Sequence, residues 1–331
     1  MARSQHERAV REAVRTSAEL KRLFNRLGNA EHPRGRILSA YRTARRAVKS
    51  DVNNLLAVRD SLYELRYSVN LAIDQVLQAA IDRGAQQARR ELSIYDLPWW
   101  WAQPDSRPAL TASLLVLDQQ IAAIDAMIIG GEATEGVILG DATRAGILSP
   151  ASVIREANKW TTAAAILAWQ ETVRRGVEQA DAQDDYVRQA IASIDHVTTD
   201  CCLRVHGQTA ELDGDFTLIG TPRFADKQHR PPFHYGCRTS IALVLRSEAD
   251  DDLTAKMRKA GRAELKFRDK AQSHIDRLKK ELADDGQFQD VRIRQADDAA
   301  TKRRRNAIRM WQERLKERVY PSHATSGRGK G

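Results

Sequence analysis

The chain has 331 residues, 42% of them hydrophobic and 29% charged, with a formal net charge of +9. That length holds one sizeable core or two, and three cysteines, two of them adjacent, do not build a secreted disulfide framework. The opening residues, Met1-Ala2-Arg3-Ser4-Gln5-His6, lack the apolar stretch of a signal peptide, so a reducing cytoplasm is the expected site of synthesis.

Charge is unevenly placed along the chain. Residues 1–50 carry 13 basic against 4 acidic side chains, residues 301–331 carry 10 against 2, and the middle is net acidic. Basic ends of this kind suit a polyanion such as double-stranded DNA, through counterion release, or are simply solvated helix faces.

Residues 9–27 place Val10, Val14, Leu20, Leu23, Phe24 and Leu27 mostly three or four apart, an amphipathic helix that Gly28-Asn29 ends. A second pattern starts at Arg34 and, past Gly35, runs through Ile37, Tyr41, Val52, Leu65, Ile73 and Ile81 without a further glycine or proline before Gly84. It predicts one very long helix, or two broken near Asp60-Ser61, and a rod of this kind suits a bundle or an assembly. Pro98-Trp99-Trp100-Trp101 and the prolines at 104 and 108 then break the helix. Three consecutive indoles cannot all face one core, so either a ring meets a partner or the corner packs on neighbouring helices.

Residues 109–129 are apolar enough to raise the question of a membrane span. Asp118 and Asp125 lie inside, each costing roughly 2.5–3.5 kcal/mol near a bilayer centre, and the expectation is a buried or oligomer-facing helix. Glycines between 130 and 146 mark a domain boundary. Ser149-Pro150 opens the next helix, continued by Val153, Ala157, Trp160, Leu167 and Val177, and a short helix is expected over 186–194. After Leu245 a thin apolar stripe (Leu253, Met257, Ala260, Ile275, Leu278), interrupted at Gly261 and 284–286, predicts extended, weakly packed helices. Lys302, Arg303, Arg304 and Arg305, in a basic tail, and Trp99, Trp100 and Trp101 are the expected contacts to DNA or a partner protein. The fold class is mainly α with a small β-rich module. Its segments are 1–97 (long basic helices), 98–149 (corner, apolar helix and linker), 150–247 (a compact α+β domain) and 248–331 (charged helices and tail).

All three cysteines and four of the eight histidines fall within residues 195–245. Cys202 and His206 are four apart, and His234 and Cys237 three apart. These ligand types and local spacings match a structural zinc site, with Cys201 and His229 as spare candidates, or else buried thiols with hydrogen-bonding histidines. Cys202 with His234 also offers a nucleophile and base. No phosphate-cradling glycine loop or dinucleotide fingerprint occurs anywhere. Pro231-Pro232 fixes an extended approach to His234, Gly236 permits a tight turn, and strands are expected near 216–219 and over 241–245.

The series Asp195-x-x-Thr198-x-x-x-Cys202-x-x-x-x-Gly207, a loop, then Pro232-x-His234-x-x-Cys237-Arg238 and an apolar strand resembles the signature of phage head morphogenesis proteins, the minor head proteins of the Mu protein F-like and SPP1-like group. The preceding helix, with Ala168-Trp169-Gln170-Glu171-Thr172-Val173, is similar too, and the resemblance covers residues 150–245. Thr199 and Thr239 stand where many members have cysteine, and Val197 where arginine is usual; His206 would have to replace a lost thiol ligand. The resemblance implies a structural virion component, not an enzyme. Its expected place is the capsid interior near the portal, in several copies, after assembly in the host cytoplasm, with no membrane involved. The portal protein, the major capsid or scaffolding protein and packaged double-stranded DNA would be its partners. A zinc-dependent nucleic-acid-binding protein or nuclease is the alternative.

Overall fold

A computed structural model of the protein describes residues 4–25, 32–50, 55–100, 104–129, 147–195, 197–287 and 306–310. The chain is mostly helical, with a small antiparallel sheet. Helices α1 (Gln5–Asn25), α2 (Pro33–Ser50), α3 (Leu55–Ile94), α4 (Arg107–Ile129) and α5 (Pro150–Gln179) come first. Then follow β1 (Tyr186–Ile191), the short α6 (Asp200–Val205), β2 (Thr209–Ala210), β3 (Phe216–Thr217), β4 (Lys227–Gln228), β5 (Ser240–Leu245) and α7 (Asp252–Gln287).

Two apolar cores share α3 and α5. The first takes Ile37 and Tyr41 from α2, Leu62 and Ile73 from α3, Leu117 from α4 and Val153 from α5. The second lies between the sheet and three helices: Ala9 and Val10 of α1, Leu92 of α3 and Trp169 and Val173 of α5 meet Val187, Ala190 and Leu243 of β1 and β5. The N-terminal rods and the sheet module are therefore packed on each other. Where α3 and α5 cross, Gly84 lets the backbones touch, because a Cβ there would stand 1.8 Å from the Ala165 carbonyl oxygen.

Residues 51–54 of the long apolar pattern lie outside the described residues; Asp60-Ser61 lie within α3, which continues through Gly84 to Ile94. Helix α4 buries Leu114, Leu117 and Ile124 and leaves Leu115 exposed. It meets α3 with its acidic side chains, Asp118 with Arg66 at 2.7 Å and Asp125 with Arg59 at 3.5 Å. By length and composition, the span Arg107–Ala126 is the one candidate membrane crossing among the described residues. The glycines of 130–146 lie outside the described residues.

The sheet has the order β2-β1-β5, with Arg188 opposite Leu243 and Ile191 opposite Ser240. A helix over 186–194 is thus corrected to strand β1. All six of its residues are buried, so its polar positions do not mark a solvent face. Arg188 points inward and ties down the 211–229 loop, donating to the carbonyls of Glu211 at 3.0 Å, His229 at 2.7 Å and Gly214. Burial pulls its guanidinium down to about 10.

The charged segment after 248 is also corrected. Over residues 252–287 the expected breaks are absent: α7 is one helix that runs through Gly261 and residues 284–286. Gly261 is where it meets α6, a Cβ there standing 2.3 Å from the Leu203 carbonyl. Its start is capped by Asp251, whose Oδ1 accepts the Thr254 N–H at 2.8 Å. The buried His6 of α1 bridges Asp251 Oδ2 and Gln189 Oε1, both at 2.8 Å.

Candidate metal centre

The two halves of the 195–245 segment close on each other through an ion pair. Arg238 reaches back 43 residues with Nη1 to Asp195 Oδ2 and Nη2 to Asp195 Oδ1, a two-pronged pair. Its Nη2 also donates to the Thr198 hydroxyl at 2.9 Å, and that hydroxyl donates to the Ser193 carbonyl. The Val197 N–H donates to Asp195 Oδ1 at 3.0 Å. Burial works to raise the Asp195 carboxyl, but Arg238 and these donors outweigh it and hold it at about 2. From outside, Arg268 of α7 donates to the carbonyls of Asp195 and Thr198, fixing the same loop.

The thiols lie beside this clasp. Cys201 and Cys202 sit in the first turn of α6, and His234 and Cys237 on the turn before β5. Cys202 Sγ is 3.0 Å from His234 Nε2, 3.7 Å from Cys237 Sγ and 4.0 Å from Cys201 Sγ. The Thr199 hydroxyl is 2.8 Å from the same Nε2. All four are buried, none more than 6% exposed. Gly207 closes the exit of α6 with φ +79° and Gly236 shapes the second turn with φ +72°, conformations that disfavour a side chain. Phe233 and Phe216 stack edge to face beneath, with centroids 5.9 Å apart.

Cys201, Cys202 and His234 can hold a metal ion: their ligand atoms all lie within 4.8 Å of one another. The chemistry of the donor set fits. His234 Nδ1 faces the Tyr235 carbonyl at 2.7 Å, which sets Nδ1–H as donor and leaves the Nε2 lone pair toward the sulfurs, the tautomer a metal-bound imidazole needs. A tetrahedral site with Zn–S bonds of ~2.3 Å has sulfurs ~3.8 Å apart, close to the two sulfur–sulfur distances here. Electrostatics divide the three thiols: hydrogen bonding to Cys201 and Cys237, with burial, pushes Cys202 up. Hydrogen bonding to Cys202 lowers Cys201 to about 6. Burial opposes charge on Cys237, yet bonds to Cys202 and His234 hold it well below the ordinary thiol range.

His206, expected as a ligand, is not in this cluster. It is 8% exposed, and its Nδ1 accepts the Ala192 N–H at 3.0 Å, a link between α6 and the end of β1. Cys201, expected only as a spare, takes its place. His229, the other spare, lies beside the carbonyls that Arg188 binds. Pro232, joined to Pro231 by a cis bond, precedes the buried Phe233.

Among the remaining expected contacts, Trp99 lies under Arg89, 4.0 Å from the ring centroid. Trp100 is 58% exposed and bonds to Gln179. Trp101 and Lys302, Arg303, Arg304 and Arg305 lie outside the described residues. Sequence reasoning missed Arg188 and Arg268, which organise the loops without belonging to any motif. No family model matches the chain, and neither a curated protein nor a solved structure matches it.

Proposed function

We propose that the chain is a structural minor head protein of a double-stranded DNA phage, seated at the portal vertex on the inner side of the capsid. It would act in head assembly and in packaging or delivery of the genome. One observation carries this reading: of the residues on which the resemblance rests, Asp195, Thr198, Cys202, His234, Cys237 and Arg238 come together although Asp195 and Arg238 are 43 residues apart. Around it, long helices supply rods and the basic ends a means of meeting DNA. The test is co-expression with the portal protein of the same genome. Retention of the chain on the purified portal ring is expected; a ring that leaves it behind overturns the reading.

The metal assigned to the cluster is zinc, held by Cys201, Cys202 and His234, with Cys237 the nearest further thiol. Zinc there would link α6 to the turn before β5, ends 32 residues apart, the kind of cross-link a structural site provides. A nuclease needs a metal whose open position substrate and water can reach, and the burial of all three ligands favours the structural role. Purified protein is expected to carry about one zinc per chain, lost in Cys202→Ser and His234→Ala and kept in His206→Ala. Zinc loss in His206→Ala, or none in the native protein, would refute this ligand set.

A further inference from the structure

Two of the three thiols are placed to meet without disturbing a helix. Cys202 Sγ is 3.7 Å from Cys237 Sγ and 4.0 Å from Cys201 Sγ, whereas bonded sulfurs stand about 2.05 Å apart. Cys201 and Cys202 are neighbours within α6, and a bond between them would force their shared peptide out of helical geometry. Cys202 and Cys237 belong to separate segments, 35 residues apart. Cys237 follows Gly236, and a Cβ on that glycine would meet no atom within 4 Å, so the turn has room to shift.

A base is at hand. His234 Nε2 lies 3.0 Å from Cys202 Sγ, with Nδ1 held by the Tyr235 carbonyl, so Nε2 can take the Cys202 proton. Cys202 is 2% and Cys237 6% exposed, which shuts out a large reagent. Cys202 and His234 border a cleft of about 10 Å³, near the smallest volume that holds one water. Cys237 borders a cavity of about 310 Å³, and the two spaces share Val197, 59% exposed, and the exposed Gly236 in their walls. A molecule of a few atoms fits such an approach.

We infer that Cys202 and Cys237 are a redox pair, which a small peroxide converts to a disulfide with release of the zinc. The Cys237 sulfur attacks one peroxide oxygen; the O–O bond breaks, and the departing hydroxide takes the Cys237 proton to become water. Cys202 then gives its proton to His234 Nε2 and attacks the Cys237 sulfur. The S–O bond breaks, and the second hydroxide takes that proton from His234 and leaves as water. Two thiols have lost two electrons in all, and one peroxide is reduced to two waters. Zinc, deprived of Cys202, keeps only Cys201 and His234 and departs. The disulfide ties α6 to the turn before β5, the same two ends that zinc ties. The clasp therefore stays cross-linked in reducing and in oxidising surroundings. The zinc step rests on the ligand set proposed above; the disulfide does not.

The test treats the full chain, purified under reductant, with hydrogen peroxide and maps its disulfides by mass spectrometry of a non-reducing digest. A link between Cys202 and Cys237 of one chain is expected, with free thiols falling by two, from three to one. Zinc is expected to pass to a coloured chelator in step with the link. In EDTA the oxidised chain is expected to melt about 5 °C above the reduced chain. A link between Cys201 and Cys202, links only between chains, oxidation to sulfonic acid with no link, or coincident melts would each overturn the inference. Cys237→Ser is expected to form no link within the chain, and one found there would overturn it too. Should that variant fail to fold, the map of the native chain decides alone. A native chain that holds zinc and forms no link refutes the redox pair only; one that forms the link without ever holding zinc refutes the zinc reading only.

Discussion

Gly84→Ala is expected to lower stability by about 3 kcal/mol or more, although alanine is the better helix former. Two effects compete at this position. In an ordinary helix interior the change would gain about 1 kcal/mol from backbone propensity. Here the new methyl would sit 1.8 Å from the Ala165 carbonyl oxygen, which is backbone and cannot rotate away. The α3–α5 crossing must open by more than an ångström, and Leu20, Ala80 and Ala165, which pack together there, lose contact. Overpacking that moves backbone costs at the upper end of the usual 1–3 kcal/mol or beyond. Sterics win. A urea or thermal melt checks it, and a melting temperature equal to or above that of the native chain would show that the crossing is not tight.

The second large effect concerns Glu91, fully buried between α3, α5 and β5. Its carboxyl accepts three N–H groups: Trp169 Nε1 at 2.9 Å, Leu243 N at 2.9 Å and Gln87 Nε2 at 2.7 Å. Glu91→Ala strands three buried donors, each worth about 1–3 kcal/mol when unpaired, so a loss of about 4 kcal/mol is expected. Glu91→Gln keeps an acceptor for Trp169 and Leu243 and should cost far less. Burial pushes this carboxyl up to about 8, against 4.5 for a free glutamate, while the three donors pull it back. Because the folded value is the higher one, the native state binds the extra proton. Its stabilising contribution is full below pH 4.5 and is lost as pH rises through 8. Native stability is therefore expected to fall between pH 5 and 8 by up to about 1 kcal/mol per pH unit, and Glu91→Gln to flatten that slope. Melts that do not move with pH would contradict it.

The helices could be read from the sequence because each buries one stripe, and apolar spacing records that directly. The strand β5 was readable for a similar reason, its apolar run being buried along most of its length. Strand β1 was not. Arg188 and Gln189 are as buried as their apolar neighbours, since their polar ends are satisfied by loop carbonyls, by His6 and by Thr254, and such partners leave no periodic trace. The candidate site was half legible. Residue types and their clustering pointed to Cys202, His234 and Cys237, but local spacing favoured His206 over Cys201. Spacing cannot tell that the short α6 turns Cys201 Sγ to within 4.0 Å of Cys202 Sγ and sends His206 toward Ala192.

The way α3 lies along β5 also bears on how this protein can be cut. A fragment beginning near residue 150 keeps the clasp, the thiols and all five strands, and looks like a unit. It would leave behind Gln87, Glu91 and Tyr95, the side chains that pair with the outward backbone groups of Ile241 and Leu243. Strand edges stripped in this way recruit one another, so such a fragment would tend to self-associate through β5. The covering helix precedes the strand by about 150 residues. During synthesis the N-terminal rods are thus already made when the sheet forms, and act as its built-in escort.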